Sequence, residues 1–452
     1  MPPDSNGHAT AAARDRSWRL WPLIAIAVLL AAPRLSAAQA QARARAPAQT
    51  QAGAGSGGVN AGRWLDAPHV LLVSFDGFRH DYLRRGLTPN LERLAARGAR
   101  ADALIPVFPT KTFSNHYSIA TGLSPGHHGI VANDFYDPAF DASYRLRDRS
   151  AVEDGRWYGG EPIWVSAEKQ GMVTASMFFV GTEAPVKGIQ PAYWNRFDEH
   201  VTEAVRIRTV LDWLAMPAAR RPHLVTLYFE RLDGAGHRHG PDSAELNASL
   251  AVADSLIGVL MEGIDALPHG DRVHLVVVTD HGMSLLDGQP VILEDWADLA
   301  GVRVITGGPI AQLYTDGDTA RARTLRDALG RAPGMTAYLP GETPAEWRTA
   351  QNPRFGDVLL VADEGVQIRR RDSTGERSLA THGWAPVPSM HGIFVAAGPR
   401  IRPGLRIPAF ESIHIYPLLA ELLGIEPAPG IDGRLEVLRP ILTGSAATPR
   451  LH

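Results

Sequence analysis

His69-Val70-Leu71-Leu72-Val73-Ser74-Phe75, running into Asp76-Gly77, is the stretch that decides the fold. It is a continuous apolar run without polar alternation, closed by a carboxylate and a glycine. A strand of that kind is buried on both faces, as in parallel sheets covered by helices. Two more runs follow the same pattern. His223 to Phe229 (HLVTLYF) leads into Glu230-Arg231-Leu232-Asp233, then Gly234, Gly236 and His237, and Arg272 to Thr279 (RVHLVVVT) leads into Asp280-His281-Gly282. Val173 to Val180 and Ile393 to Ala397 read as further strands.

Helical patterns lie between and after them. Thr88-Pro89 followed by NLERLAARG carries a cap, a proline at the first helical position and Gly98 at the end. His200 to Ala215, Ser243 to Leu267 and Ser412 to Leu423 have helical periodicity. Strand–helix alternation predicts an α/β fold, a mainly parallel central sheet with helices on both faces. Residues 301–378 are less regular and predict a cap or insertion. No internal repeat is visible.

Composition narrows the function. The chain has 452 residues and a net charge of only −3, long enough for one large domain and not basic enough for a stable nucleic-acid partner. It has no cysteine, which removes disulfides, a thiolate zinc site and a thiol nucleophile. Seventeen histidines remain as transition-metal ligands.

The N-terminal 40 residues read as a secretory signal. Arg14, Arg16 and Arg19 flank the short apolar run Leu20 to Ala32, and Ala38-Gln39-Ala40 has the small-x-small form of a cleavage site. The run is short for a membrane span, so no membrane attachment is expected after the signal is removed. An uncleaved anchor is the alternative. Residues 41–62 are rich in Ala, Gln and Gly and predict a disordered linker, with the catalytic domain over residues 63–445. Export implies a periplasmic or secreted protein.

Three of the strands end in carboxylates, and sites in open α/β sheets lie beyond the carboxyl ends of the strands. Asp76, Asp233, His237, Asp280 and His281 are therefore expected at one edge. Bare aspartates gathered there would repel, and a dication removes that cost. Five or more ligands exceed one tetrahedral site, so two metals are implied. His382 in Thr381-His382-Gly383 is a sixth candidate, and His391 in Met390-His391-Gly392 another. His116, His127, His128 and His239 read as supporting or surface residues.

A last stretch holds a candidate nucleophile. In Val107-Phe108-Pro109-Thr110-Lys111-Thr112-Phe113-Ser114-Asn115-His116-Tyr117-Ser118, Pro109 keeps the chain out of a helix before it, and Ser114 to Gly122 predicts a short helix. Thr112 then sits near its start, where free backbone N–H groups attract an anion. By itself Thr112 reads as a helix cap.

These residues resemble a known family. Phe108-Pro109-Thr110-Lys111-Thr112-Phe113, Asn115-His116-Tyr117, Ala120-Thr121-Gly122-Leu123, Pro125, His128-Gly129-Ile130 and Asn133 are similar to the nucleotide pyrophosphatase/phosphodiesterase family of the alkaline phosphatase superfamily. The resemblance covers roughly Val70 to Gly398. It implies an alkaline phosphatase-like fold, two zinc ions and a threonine nucleophile. Thr112 matches that nucleophile, and Asp76, Asp280 and His281 match the ligands of the zinc that also holds it. Asp233, His237 and His382 match the ligands of the second zinc. Asn133 matches the asparagine that contacts a phosphate oxygen, and Phe113 and Tyr228 match base-slot aromatics. Phe197 stands where several members carry tyrosine, Ser114 where proline is usual, and Gly383-Trp384-Ala385 replaces the common Gly-Tyr-Asp/Asn. Lys111 is a further substrate-side candidate through its positive charge.

The expected activity is an exported phosphodiesterase that releases a nucleoside 5′-monophosphate from a small nucleotide through a phospho-threonine. A glycerophosphodiester or phospholipid head-group is the alternative substrate. A metal-stabilised, non-catalytic nucleotide-binding protein is the alternative class.

Overall fold

The computed structural model describes residues 56–374 and 378–444. The predicted signal segment lies outside the described residues. The expected linker ends earlier than Gly62. Ser56 N donates to Glu168 Oε2, and buried Asn60 donates to the carbonyls of Ala218 and Arg221 while accepting from Val173 N. These contacts satisfy polar groups at the rim of the sheet, so this part of the chain is folded against the domain.

Eight strands make the central sheet: β1 (His69–Phe75), β2 (Gly98–Ala101), β3 (Thr174–Met177), β4 (Tyr193–Asn195), β5 (Leu224–Phe229), β6 (Val273–Val278), β7 (Phe394–Ala397) and β8 (Leu405–Ile407). Their order is β8-β2-β7-β6-β1-β5-β3-β4. β1 pairs in parallel with β5 and β6, β3 with β5 and β4, and β8 with β2. Only β7 runs against its neighbours, β6 and β2. The reason is local. The chain reaches β7 from His382 and Met390, already at the carboxyl edge, so it enters from that side and pairs Phe394 with Val278.

All seven residues of β1 are buried, as its uninterrupted apolar character requires. Val70 and Leu72 belong to the core on one face, and Leu71, Val73 and Phe75 to the core on the other. Three helices matter for the site: α1 (Thr112–Thr121), α2 (Arg231–His239) and α3 (Ala244–Asp265). α3 is long and apolar enough to cross a bilayer, yet Leu246, Leu250, Ile257, Leu260 and Ile264 pack it into the second core. It is a core helix.

The segment expected to be irregular is a small regular unit. Arg303–Gly307, Ile310–Tyr314, Val358–Ala362 and Met335–Tyr338 form a four-stranded antiparallel sheet, accompanied by the helix Thr319–Leu329. Its own core contains Leu313, Leu325, Leu329 and Leu360, together with Trp384 and Met390. Those last two residues fix the chain directly after His382 to the insertion.

Candidate active site

Register brings the carboxylates together. Ser74 lies opposite Val278 and Phe75 opposite Phe229, so the chain leaves three adjacent strands at one level. Asp76 follows β1 directly, and Asp280 lies two residues beyond the end of β6. Asp233 comes from the first turn of α2, and its N–H donates to the Asp76 carbonyl at 3.0 Å. His237 is one helical turn further along α2, on the same face. This approach requires Gly77, at φ +73°, where a Cβ would stand 2.9 Å from Asp233 Cα.

Six of the seven ligand candidates fall into two clusters of three. Asp76, Asp280 and His281 form a fully buried group, and Asp233, His237 and His382 a more open one, with the ligand atoms of each within 4.8 Å of one another. In the first, His281 Nε2 lies 3.3 Å from Asp76 Oδ1 and 2.9 Å from Asp280 Oδ2. In the second, Asp233 Oδ1 lies 3.2 Å from His237 Nε2 and 3.7 Å from His382 Nε2. The rings of His281 and His382 stack at 3.5 Å, which sets the clusters side by side.

The donor set suits divalent cations. Asp76 Oδ1, Asp233 Oδ1 and Asp280 Oδ2 are buried acceptors with no hydrogen-bond partner among the described residues, one from each aspartate. Such orphaned oxygens are costly unless a cation meets them. Each histidine engages a backbone carbonyl through Nδ1: His237 with Ala380, His281 with Gly282 and His382 with Thr110, all at 2.8 Å. That bond fixes the tautomer and leaves Nε2 as the ligand atom. Burial, then the neighbouring Asp280 and Asp233, push the Asp76 carboxyl well above its ordinary value. Burial alone would also raise Asp280, but His281 and His116 outweigh it and hold the group at about 2. Burial, followed by the neighbouring His281 and Lys111, lowers His382 well below its ordinary value, which favours the neutral form that binds a metal.

Thr112 stands at the rim of the buried cluster, Oγ1 3.2 Å from His281 Nε2. The capping expectation is corrected. α1 begins at Thr112 itself, Lys111 occupies the cap position, and no side chain caps the helix. The Thr112 hydroxyl is thus free of that role. Thr110 instead supports His382: its carbonyl accepts from that ring, and its hydroxyl accepts from Gly383 N. Phe113 N donates to Asn133 Oδ1 at 3.0 Å, which ties the Asn133 side chain to the first turn of α1. Lys111 is buried and donates from Nζ to the His382 carbonyl, and burial lowers it to about 8.

The aromatic candidates divide. Phe113 is half-buried against Tyr144. Tyr228 is almost covered, edge-on to His116 and Phe197, and its hydroxyl donates to Asp76 Oδ2 at 2.6 Å. The exposed ring beside it is Phe197. Sequence reading missed the Tyr228–Asp76 bond, although Tyr228 one residue before the end of β5 was the available signal. His116, fully buried, contacts Ser74 Oγ and the Thr112 carbonyl and lies 3.4 Å from Asp280. His391 joins neither cluster; it follows the turn at Pro388–Met390, and its Nε2 lies 3.1 Å from the Pro386 carbonyl.

Fold and site together define an alkaline phosphatase-like α/β protein with two adjoining three-ligand clusters and a threonine on their rim. A family profile described as type I phosphodiesterase / nucleotide pyrophosphatase matches residues 70–385, and the chain belongs to that family. Ectonucleotide pyrophosphatase/phosphodiesterase family member 1 of Rattus norvegicus is 34% identical over 401 residues, 84% of this chain and 44% of the relative. The chain therefore spans less than half the length of that relative. An uncharacterised pyrophosphatase/phosphodiesterase of Schizosaccharomyces pombe is 32% identical over 388 residues, covering 82% of this chain and 80% of its own. Among solved structures, an inactive Thr-to-Ala variant of murine ectonucleotide pyrophosphatase / phosphodiesterase 5 in complex with AMP aligns with a TM-score of 0.78 at 30% identity. The alignment covers 83% of this chain and 100% of that one.

Proposed function

We propose that this chain is an exported phosphodiesterase that hydrolyses small nucleotide phosphodiester or phosphoanhydride substrates to a nucleoside 5′-monophosphate. The single observation that carries this reading is the Thr112 hydroxyl, 3.2 Å from His281 Nε2, beside three orphaned aspartate oxygens. Support comes from the murine relative, which is inactive as a Thr-to-Ala variant and binds AMP.

Asp76, Asp280 and His281 would hold one divalent ion and Asp233, His237 and His382 a second, with zinc as the proposed metal. When bound, two such ions lower the pKa of a hydroxyl and of water and offset charge on a transferring phosphoryl group. Thr112 Oγ1 then attacks phosphorus, forming the phospho-threonine while the bond to the leaving group breaks. The Asn133 amide and the unbonded N–H groups of the first turn of α1 donate to the non-bridging oxygens. Water attacks the same phosphorus in the second step and restores the hydroxyl. Phe113 on one side, and Phe197 with the edge of Tyr228 on the other, offer apolar surface to a base. Lys111 keeps the His382 loop in place and adds positive potential.

The test is a panel of ATP, a dinucleotide, glycerophosphocholine and a phosphomonoester, ranked by kcat/KM on zinc-loaded protein. Nucleotides should lead. Thr112→Ala should keep fold and metal and lose about a thousandfold or more in rate. A fully active Thr112→Ala, or a panel led by glycerophosphocholine, overturns the assignment. Nucleotide binding without turnover of any substrate, including bis-p-nitrophenyl phosphate, would identify a binding protein instead.

A further inference from the structure

The loop that leaves β1 carries, three residues after Asp76, an arginine with no part in the reaction as described. The Arg79 side chain is only 13% exposed, so its hydrogen bonds are screened little by solvent. Nε and Nη2 donate to Asp81 Oδ1 and Oδ2 at 2.6 and 2.9 Å, which fixes the plane of the group within its own loop. Nη1 donates to the Met283 carbonyl at 3.0 Å, and Nη2 also donates to Asp242 Oδ1 at 3.2 Å. A planar fork of five N–H groups serves these three partners at once, and an ammonium cannot.

Two of the partners are distant in sequence, and both stand close to ligand candidates. Met283 is two residues past His281. Gly282 between them lies against the Arg79 stem, where a Cβ would stand 3.0 Å from Arg79 Cγ. Asp242 lies in the connection from α2, which carries Asp233 and His237, to α3. Met283 also reaches α2 directly: a Cβ on Gly236, one residue before His237, would stand 2.9 Å from Met283 Cε. Arg79 therefore ties together the segments that carry Asp76, His281 and His237, the first two from the buried cluster and the third from the open one.

The far end of this tie is braced. Arg85 donates to Asp242 Oδ1 at 2.6 Å, to the Pro241 carbonyl at 3.0 Å and to Asn247 Oδ1, near the start of α3, at 2.7 Å. The buried ring of Tyr82 contacts both guanidiniums, its centroid 5.1 Å from Arg79 Cζ and 4.2 Å from Arg85 Cζ. One aromatic ring and one carboxylate thus hold two like charges in place. Asp242 is itself exposed, so the bond from Arg79 to it is the weaker of the two long-range contacts.

We propose that Arg79 is a positioning residue that sets the spacing of the two ligand clusters, acting through the Met283 carbonyl on the buried cluster and through Met283 and Asp242 on the open one. None of its hydrogen bonds goes to a ligand candidate or to Thr112. The inference rests on the two-metal reading of the site and adds the side chain that keeps its two halves in register. In-line displacement across two metals depends on their spacing, and a misplacement of about 1 Å can cost about a hundredfold in rate. Errors in that spacing fall on kcat.

The experiment compares wild type with R79K and D242A, each loaded with Mn²⁺, with urea midpoints recorded so that folded protein is compared. R79K keeps the charge and loses the fork, so its effect is not one of potential. Magnetic coupling between the two manganese ions, read by electron paramagnetic resonance, reports their spacing without turnover. R79K should alter that coupling and lower kcat for bis-p-nitrophenyl phosphate at least about tenfold, with KM held within about twofold. D242A should move both readouts the same way by less. Wild-type coupling and kcat in R79K overturn the proposal. So does a rate that falls only with the folded fraction while the coupling is unchanged, which would make Arg79 a brace of the fold alone. If R79K does not fold, D242A decides, and unaltered coupling and kcat there overturn the proposal. Wild type with two coupled ions and no turnover would refute the phosphodiesterase reading alone, and the coupling in the variants still decides Arg79. Wild type with a single bound ion would overturn both.

Discussion

Tyr228 donates its phenolic hydrogen to Asp76 Oδ2 across 2.6 Å, while Asp76 Oδ1 has no hydrogen-bond partner among the described residues. One oxygen of the carboxylate is fixed and the other is left open to a cation. Burial, followed by the charge of Asp76, raises the phenol well above its usual value, so it remains the donor. Removing the hydroxyl in Tyr228→Phe should weaken metal retention by roughly ten- to a hundredfold, the usual effect of losing a partner behind a ligand. Competition with a chelator, read as metal bound per chain, checks this. Unaltered retention would show that the bond does not position Asp76.

Metal loss should occur in two stages. The cluster of Asp76, Asp280 and His281 is buried, whereas the side chains of Asp233 and His237 are 21% and 28% exposed. A chelator should therefore strip the cluster containing Asp233 first, and Asp233→Asn should accelerate the first stage alone. Time-resolved metal release separates the stages. A single phase in wild type contradicts this picture.

Gly77 is where the two clusters meet through the backbone. Alanine there would combine a left-handed backbone with a Cβ 2.9 Å from Asp233 Cα. The expected loss is about 2–4 kcal/mol of stability, the sum of backbone strain and overpacking. Urea denaturation measures it, and a Gly77→Ala protein of unaltered stability would show that the loop yields freely.

Away from the metal ligands, three buried histidines set an acid limit. Burial, then the neighbouring His223, lowers His69 to about 3; burial lowers His128 to about 3 and His274 to about 4. Below about pH 6.5 the unfolded chain takes up protons that these folded residues refuse. Stability should thus fall as pH drops from about 6.5 toward 4, by up to about 1.4 kcal/mol per pH unit for each residue. Urea midpoints across that range test the slope, and His274→Gln should make it shallower. Equal slopes for the two proteins would remove His274 from the explanation.

Much of the fold was legible because buried parallel strands announce themselves. His69–Phe75 was expected residue for residue, and the runs ending at Phe229 and near Thr279 were displaced by one residue at most at either end. The strand expected from Val173 to Val180 is shorter, Thr174–Met177, since the chain turns at Phe178, which has a positive φ. The insertion was hard to read because its short antiparallel strands depend on a core completed by Trp384 and Met390, distant in sequence.

Sequence alone determined the strand–helix order and offered Asp76, Asp280 and His281, because apolar runs ending in Asp-Gly or Asp-His carry both the strand and the chemistry that follows it; Asp233, His237, His382 and Thr112 came from the motifs beside them. Tertiary structure decided what each residue does there. It showed one of the two sets of ligand candidates to be buried and the other more open, released Thr112 from capping and set Tyr228 behind Asp76. The physical reason is that pairing register and packing across the sheet edge are long-range: Asp76 meets Asp280 and Tyr228 only when β6, β1 and β5 lie side by side.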